Sequence, residues 1–374
     1  MKHSADLYLS NRLNERKQAG NFRTLKPENT DLIDFSSNDY LGFAHSLVLK
    51  QLIADELAKH PNHLNGSTGS RLLSGNLGYA EDLERWIANY HSHEAGLLFN
   101  SGYDANLGLF SSLPQRGDTV ITDELIHASI IDGIRLSNAN RYTFRHNDLT
   151  SLEEKLKNAK GQIYVVVESV YSMDGDIAPI TTMLDLTKKY NAQLIVDEAH
   201  AIGVFGKGII DELNLQQEIF ACVITFGKAM GTHGAIVLGS NLLREYLVNF
   251  ARSFIYSTAA SFHQLAAIKM AYRLLDEAQS EIEKLHINIQ LLNKYLVDFQ
   301  IGSESKSAIH CVLVGSNEKA KHISEKLKDA GIDIRPVLSP TVAVGTERLR
   351  ICMHAYNTHQ QIELLANTLN KLIK

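Results

Sequence analysis

A single lysine, Lys228, sits where an apolar run gives way to a glycine-bounded loop: Val223-Ile224-Thr225-Phe226-Gly227-Lys228-Ala229-Met230-Gly231. A lysine that leaves a hydrophobic strand for a tight loop cannot easily carry its ammonium out to water. Desolvation favours the neutral amine, and a neutral amine attacks carbonyl carbon. A lone Gly-Lys pair is more often an ordinary solvated loop, so its neighbours decide the reading. Four other apolar runs also end in reactive groups. They lead into Asn100-Ser101-Gly102-Tyr103, Asp123-Glu124-Leu125-Ile126-His127-Ala128-Ser129, Ser169-Val170-Tyr171-Ser172-Met173-Asp174-Gly175-Asp176 and Asp197-Glu198-Ala199-His200. Each member has a plainer reading by itself. His127 could be solvated, Asp197 could cap the next helix, and Thr225 could be a β-branched strand residue. The combination is much less readily produced by chance.

These runs alternate with amphipathic segments. Strands are expected at 96–99, 119–122, 162–168, 193–197, 221–226 and 235–239, with helices between most of them, for example 149–157 and 181–190. That alternation is the grammar of an α/β domain with a mostly parallel sheet covered by helices on both faces. The last two strands are too close for a helical crossover and are expected to be antiparallel. In such a sheet ligands bind beyond the carboxyl ends of the strands, which is where the reactive groups fall. Leu83, Trp86, Ile87 and Tyr90, at i, i+3, i+4 and i+7, predict a helix. Beyond residue 242 a helical zone at 261–296, strands at 309–314 and 348–353, and helices around Ile323 and Leu365 predict a smaller C-terminal α+β domain. The division expected is an N-terminal segment 1–45, a large cofactor-binding domain 46–275 and a C-terminal domain 276–374.

Composition narrows the class. The 374 residues are 44% hydrophobic and 21% charged with net charge −5, which disfavours a broad nucleic-acid footprint. No apolar run approaches a membrane span, and residues 1–20 lack the apolar core of a secretory signal, so a cytoplasmic enzyme is expected. Cys222, Cys311 and Cys352 make no zinc spacing and read as core thiols of a reducing compartment; no metal site is expected. Asp197-Glu198-Ala199-His200 also spells one helicase signature, but that chemistry needs a G-x-x-x-x-G-K-[ST] loop upstream, and no stretch supplies one. A Schiff-base lysine, a carboxylate that keeps a pyridine nitrogen protonated and a phosphate cradle are instead the parts pyridoxal 5'-phosphate requires.

The chain resembles the α-oxoamine synthases, fold type I pyridoxal-phosphate enzymes, nearly end to end. The motifs are Ser36-Ser37-Asn38-Asp39-Tyr40-Leu41-Gly42, Ser101-Gly102-Tyr103-Asp104-Ala105-Asn106, Ser172-Met173-Asp174-Gly175-Asp176, Asp197-Glu198-Ala199-His200, Thr225-Phe226-Gly227-Lys228, Ile255-Tyr256-Ser257-Thr258 and Arg348-Leu349-Arg350. The resemblance implies that Lys228 tethers the cofactor, Asp197 pairs with its pyridine nitrogen and His127 stacks on its ring. Ser172 and His200 would contact the phenolic oxygen, and Gly102, Tyr103 and Thr225 would surround the ring and phosphate. Thr258 would reach a phosphate across a homodimer interface with a shared active site. Arg350 would bind the amino-acid carboxylate, and Arg23 and Thr341 would lie near the acyl substrate. Within the family, Asn38-Asp39-Tyr40-Leu41-Gly42 and Phe254-Ile255-Tyr256-Ser257-Thr258 favour the member that condenses L-alanine with a pimeloyl thioester, carried by CoA or acyl carrier protein, in biotin synthesis. The chain departs from the family at Thr341-Val342-Ala343, where Thr-Pro is common, and at Asn357, where histidine is common. Sister activities, glycine with acetyl-CoA or a long-chain acyl donor, remain open, as does a non-catalytic scaffold subunit.

Overall fold

The computed structural model describes residues 3–25, 31–299, 301–302 and 304–373. The chain divides into two units: the described residues of Met1–Ser37, Met173–Gly175 and Ile287–Lys374, and those of Asn38–Ser172 and Asp176–His286. Strand β1 (Ile33–Asp34) belongs to the smaller unit.

The larger unit is built on seven strands: β2 (Ala95–Phe99), β3 (Thr119–Asp123), β4 (Asn140–Phe144), β5 (Ile163–Glu168), β6 (Gln193–Asp197), β7 (Ala221–Thr225) and β8 (Ala235–Gly239). They lie in the order β2-β8-β7-β6-β5-β3-β4. Only β8 runs against its neighbours, pairing antiparallel with both β2 and β7. The nine-residue gap 226–234 between β7 and β8 has no room for a crossover helix, and the antiparallel pair expected there is found. Val165, Val166, Val167, Leu194, Ile195, Val196, Val223 and Ile224 are all buried, as a sheet sandwiched between helical layers requires. Each such side chain contributes ~1.5–3 kcal/mol of apolar burial.

Strand β4 is absent from the sequence-based expectation, and its composition explains why. Asn-Arg-Tyr-Thr-Phe is mostly polar, and only Phe144 is buried. It is the outer strand of the sheet beside β3, so one side needs no apolar run, and charged edges also resist further strand addition.

Helix starts follow local capping chemistry. Ser101 accepts the Asp104 N–H at 3.1 Å and opens Gly102–Ser112; Asp148 accepts Ser151 N–H at 2.9 Å and opens Leu149–Asn158. The expected helical zone at 261–296 is two helices, Phe262–Asp276 and Gln279–Asp298.

In the smaller unit β9 (Ile309–Leu313), β11 (Arg335–Val337) and β12 (Arg348–Cys352) form an antiparallel sheet in the order β11-β12-β9. β10 (Ile332–Asp333) pairs parallel with β1. Ala320, Ile323 and Leu327 of Asn317–Asp329, and Ile362, Leu365 and Leu369 of His359–Ile373, are buried. All three cysteines are buried free thiols. Among the described residues, no helix is long and apolar enough to cross a membrane.

Candidate active site

The carboxyl ends of β2, β3, β5, β6 and β7 surround one pocket of the larger unit. Its lining includes Lys228, Asp197, His127, Gly102, Tyr103 and Thr225, six of the residues singled out by sequence. Lys228 follows β7 by three residues and is half-buried. The loop holding it is tied by Gly231 N–H donating to the Lys228 carbonyl at 2.8 Å and Thr232 N–H donating to the Phe226 carbonyl at 2.8 Å.

Asp197 ends β6, 5% exposed. Its Oδ1 accepts the Ala199 N–H at 2.9 Å, so it does cap the following turn. Its Oδ2 accepts Asn106 Nδ2–H at 2.9 Å. Glu198 serves the backbone: its Oε1 accepts Ile209 N–H at 2.8 Å and Ile210 N–H at 3.2 Å. Gly208, with φ +123°, leaves room for that carboxylate, because a Cβ there would meet Glu198 Oε2 at 2.1 Å. Burial pushes the Glu198 carboxyl up to about 7.

Glu168 ends β5 directly opposite Asp197 in the strand register. It is 3% exposed and lines the same pocket. Its Oε2 accepts Ser172 N–H at 3.1 Å, while among the described residues Oε1 has no hydrogen-bond partner of good geometry. Burial first, and the Asp197 charge second, push its carboxyl up to about 8 against the opposing pull of Lys228. His127 caps the helix Ala128–Ser137. Its ring is open to the pocket, yet the surrounding walls desolvate it and lower its basicity; Asp197 opposes that shift and Lys228 adds to it.

The other expected residues are distributed as follows. His200 is buried with Nδ1 2.7 Å from the Tyr40 hydroxyl, which donates to Asn38 Oδ1 at 3.0 Å; Asn38 lines the pocket. Ser172 is buried behind Glu168. Thr258 lies outside the Lys228 pocket, in a cleft with Arg71 and Asn100, where Asn100 Nδ2 donates to its carbonyl at 2.9 Å. Arg23, Thr341 and Arg350 belong to the smaller unit. Arg23 Nη2 lies 3.5 Å from Thr341 Oγ1, and Arg350 Nη1 lies 2.8 Å from Cys352 Sγ. Residues the sequence reading gave no role also line the pocket, among them Asn38, Asn106, Ser129, Glu168 and His233, and Tyr40 contacts His200. Asn106 and Tyr40 stood within quoted motifs, Ser129 within a quoted strand end and Glu168 within an expected strand. Only the register of β5 against β6 shows that Glu168 faces Asp197.

The donor set suits a phosphorylated pyridine aldehyde. The 11-residue helix beginning at Gly102 presents its N-terminus to the pocket, where an anion is favoured. A Cβ on Gly102 would meet Thr225 Cγ2 at 2.6 Å, so glycine keeps that cradle open. Thr225 Oγ1 is buried and, among the described residues, has no hydrogen-bond partner. Lys228 and Asp197 supply the amine and the carboxylate.

The family model for aminotransferase class I and II matches residues 30–369. The chain belongs to this family. It is 40% identical to an 8-amino-7-oxononanoate synthase of Emericella nidulans, an alignment covering 90% of this chain and 88% of that protein. It is 38% identical to the enzyme of the same name from Chlorobaculum parvum, over 91% and 90% of the two chains. Among solved structures it is similar to a Sphingomonas wittichii serine palmitoyltransferase, with TM-score 0.89, 26% identity and coverage of 99% and 97%. It is also similar to an 8-amino-7-oxononanoate synthase of Francisella tularensis, with TM-score 0.79, 28% identity and coverage of 92% and 98%. These are α-oxoamine synthases, the group the sequence motifs resemble, and the fold is that of type I pyridoxal-phosphate transferases.

Proposed function

We propose that this chain is a cytoplasmic, pyridoxal-phosphate-dependent 8-amino-7-oxononanoate synthase. It joins L-alanine to a pimeloyl thioester of CoA or acyl carrier protein and releases 8-amino-7-oxononanoate, carbon dioxide and the free thiol carrier. The observation that carries this reading is the convergence of Lys228, Asp197, His127 and the Gly102 helix start on one pocket, in a chain about 40% identical to synthases of that name.

When bound, the cofactor supplies an electron sink for the alanine α-carbon. Lys228 would tether it, and as a neutral amine its Nζ takes the α-proton of alanine. Asp197, fixed by the Asn106 amide and the Ala199 N–H, holds a proton on the pyridine nitrogen. Ser172 and His200 would bind the phenolic oxygen, while Gly102, Tyr103 and Thr225 would hold the ring and phosphate. Arg350 anchors the alanine carboxylate as a bidentate pair, and Arg23 and Thr341 contact the acyl substrate. His127 donates to the thioester carbonyl oxygen as the α-carbon attacks it. The C–S bond breaks, the thiol leaves, and the resulting β-keto acid loses its carboxylate as carbon dioxide. Thr258 contributes to the phosphate site of a second copy, making the working form a homodimer.

The likeness to serine palmitoyltransferase favours a second reading, a long-chain acyl donor. A product assay separates the two. Purified protein is incubated with alanine, glycine or serine against pimeloyl-CoA, pimeloyl acyl carrier protein, acetyl-CoA and palmitoyl-CoA. Alanine with a pimeloyl donor is expected to give the largest kcat/KM. A preference for glycine with acetyl-CoA, or for palmitoyl-CoA, would overturn the assignment.

A further inference from the structure

Two neutral side chains, Asn106 and Ser129, connect the two charged ends of the pocket. Asn106 Nδ2 donates to Asp197 Oδ2 at 2.9 Å and to Ser129 Oγ at 3.1 Å. Ser129 Oγ lies 2.7 Å from His127 Nδ1, and the Ser129 backbone N–H donates to the same nitrogen at 3.2 Å. All three partners of His127 along this path are buried, Ser129 and Asn106 at 0% and 3% exposure and Asp197 at 5%.

The direction of every proton in this chain follows from its two ends. The Asp197 carboxylate only accepts, so the Asn106 amide must present its NH2 group, and the reversed amide would set oxygen against oxygen. The Ser129 oxygen accepts from Asn106, which leaves its own proton available to His127 Nδ1. At the other end a backbone N–H can only donate. His127 Nδ1 therefore receives two donors and cannot itself carry a proton. We propose that Asn106 and Ser129 are positioning residues that hold His127 as the Nε2–H tautomer, leaving Nε2–H as the ring donor for a substrate oxygen.

The consequence for catalysis rests on the role given to His127 above, whereas the tautomer itself does not. An imidazolium would need a proton on Nδ1, which would set it against the Ser129 N–H and force the Ser129 hydroxyl to turn from donor to acceptor. The groups around the ring also bear on its charge: Lys228 and the N-terminus of Ala128–Ser137 oppose a positive ring, Asp197 favours one, and the Glu168 carboxyl lies beside the His127 backbone. A neutral imidazole at a helix N-terminus polarises a carbonyl by donation without itself becoming a cation, as in triosephosphate isomerase.

The test is 15N NMR of the full-length protein as purified, labelled at histidine, with His127→Gln used to assign the signal. The expected wild-type spectrum shows Nδ1 as the unprotonated nitrogen and Nε2 as the protonated one from pH 6 to 9. In Ser129→Ala the ring is expected to titrate at higher pH and to mix tautomers. The acid limb of kcat/KM should move with it, and the value should fall about 3- to 10-fold. Asn106→Ala should move both in the same direction, and Ser129→Thr, which keeps the hydroxyl, should restore the wild-type titration. A wild-type ring protonated at Nδ1 overturns the proposal without any variant. So do Ser129→Ala and Asn106→Ala proteins with unchanged tautomer and pH profile. A different substrate preference leaves the NMR result as it is, so failure of the functional reading and failure of this one are distinguishable.

Discussion

The larger unit brings two pairs of acidic side chains together at strand ends, and treats them in opposite ways. Beyond β3, Asp123 and Asp176 close around His146, whose Nδ1 lies 3.0 Å from Asp123 Oδ1 and whose Nε2 lies 2.7 Å from Asp176 Oδ2. Asn147 adds its N–H to Asp123 at 2.9 Å and its amide to Asp176 at 2.6 Å. Burial alone would make His146 less basic, but the two carboxylates outweigh it and push the ring up to about 10. At β5 and β6, Glu168 and Asp197 have no imidazolium between them. Asp197 is satisfied by an amide and an N–H, and Glu168 holds on to its proton up to about pH 8. The first pair is bridged by a cation from the chain itself and has structural work. The second leaves a carboxylate, a neutral acid and Lys228 facing one pocket, where perturbed groups mark chemistry.

The largest effects should come from breaking the second pair's surroundings. Lys228→Ala should lower product formation from alanine and pimeloyl thioester by about 1,000-fold or more, and the protein should no longer be fixed in a coloured, borohydride-sensitive form. A protein that keeps near wild-type turnover would refute the role of this amine. Asp197→Asn keeps the shape but removes the charge, and should lower kcat by about 100-fold or more. Its midpoint of thermal unfolding should change far less than its rate.

His146→Gln should show the reverse pattern. Losing the cation between Asp123 and Asp176 should cost about 1–2 kcal/mol, discounted because Asp176 is 40% exposed. The folded ring titrates near 10 against about 6.5 in the unfolded chain. Its stabilisation is therefore complete below about pH 6.5 and is lost as pH rises through 10. The gap in unfolding free energy between wild type and variant should be widest at pH 6 and should close towards pH 10. A kinetic defect as large as that of Asp197→Asn would erase the distinction between the two pairs.

Much of this contrast was legible in the sequence, and the rest had identifiable reasons for being hidden. Apolar runs such as 165–167 announce buried strands, and position beyond a parallel strand's end singles out Lys228, Asp197 and His127. The polar edge strand β4 gave no such run. Glu168 looked like the end of a strand because its meaning depends on lying opposite Asp197. Asn106 and Ser129 carry no charge, and a neutral residue inside a helix has no periodic signature of function. The inclusion of Ile33–Asp34 beside Ile332–Asp333 in the smaller unit is a pairing of residues about 300 positions apart, which no local pattern encodes.

The finest test of the comparison is a stability slope at Glu168. Its folded carboxyl is raised to about 8, chiefly by burial and then by Asp197, while the unfolded chain releases the same proton near 4.3. Between those values the folded state binds the extra proton, so rising pH favours unfolding, by at most about 1.4 kcal/mol per pH unit. Glu168→Gln keeps the volume and removes the titration. Denaturant unfolding of both full-length proteins at intervals from pH 5 to 9 should show the wild type losing stability relative to the variant up to about pH 8, then running parallel to it. This slope has the same sign as that of His146 but a different origin. One comes from a carboxyl kept neutral chiefly by burial and then by Asp197, the other from an imidazolium held by two carboxylates. The His146 effect should therefore persist in Glu168→Gln, and the Glu168 slope should persist in His146→Gln. Parallel wild-type and Glu168→Gln curves across the whole range would mean that this acid is ionised in the fold, and that the two carboxylate pairs differ less than their geometry implies.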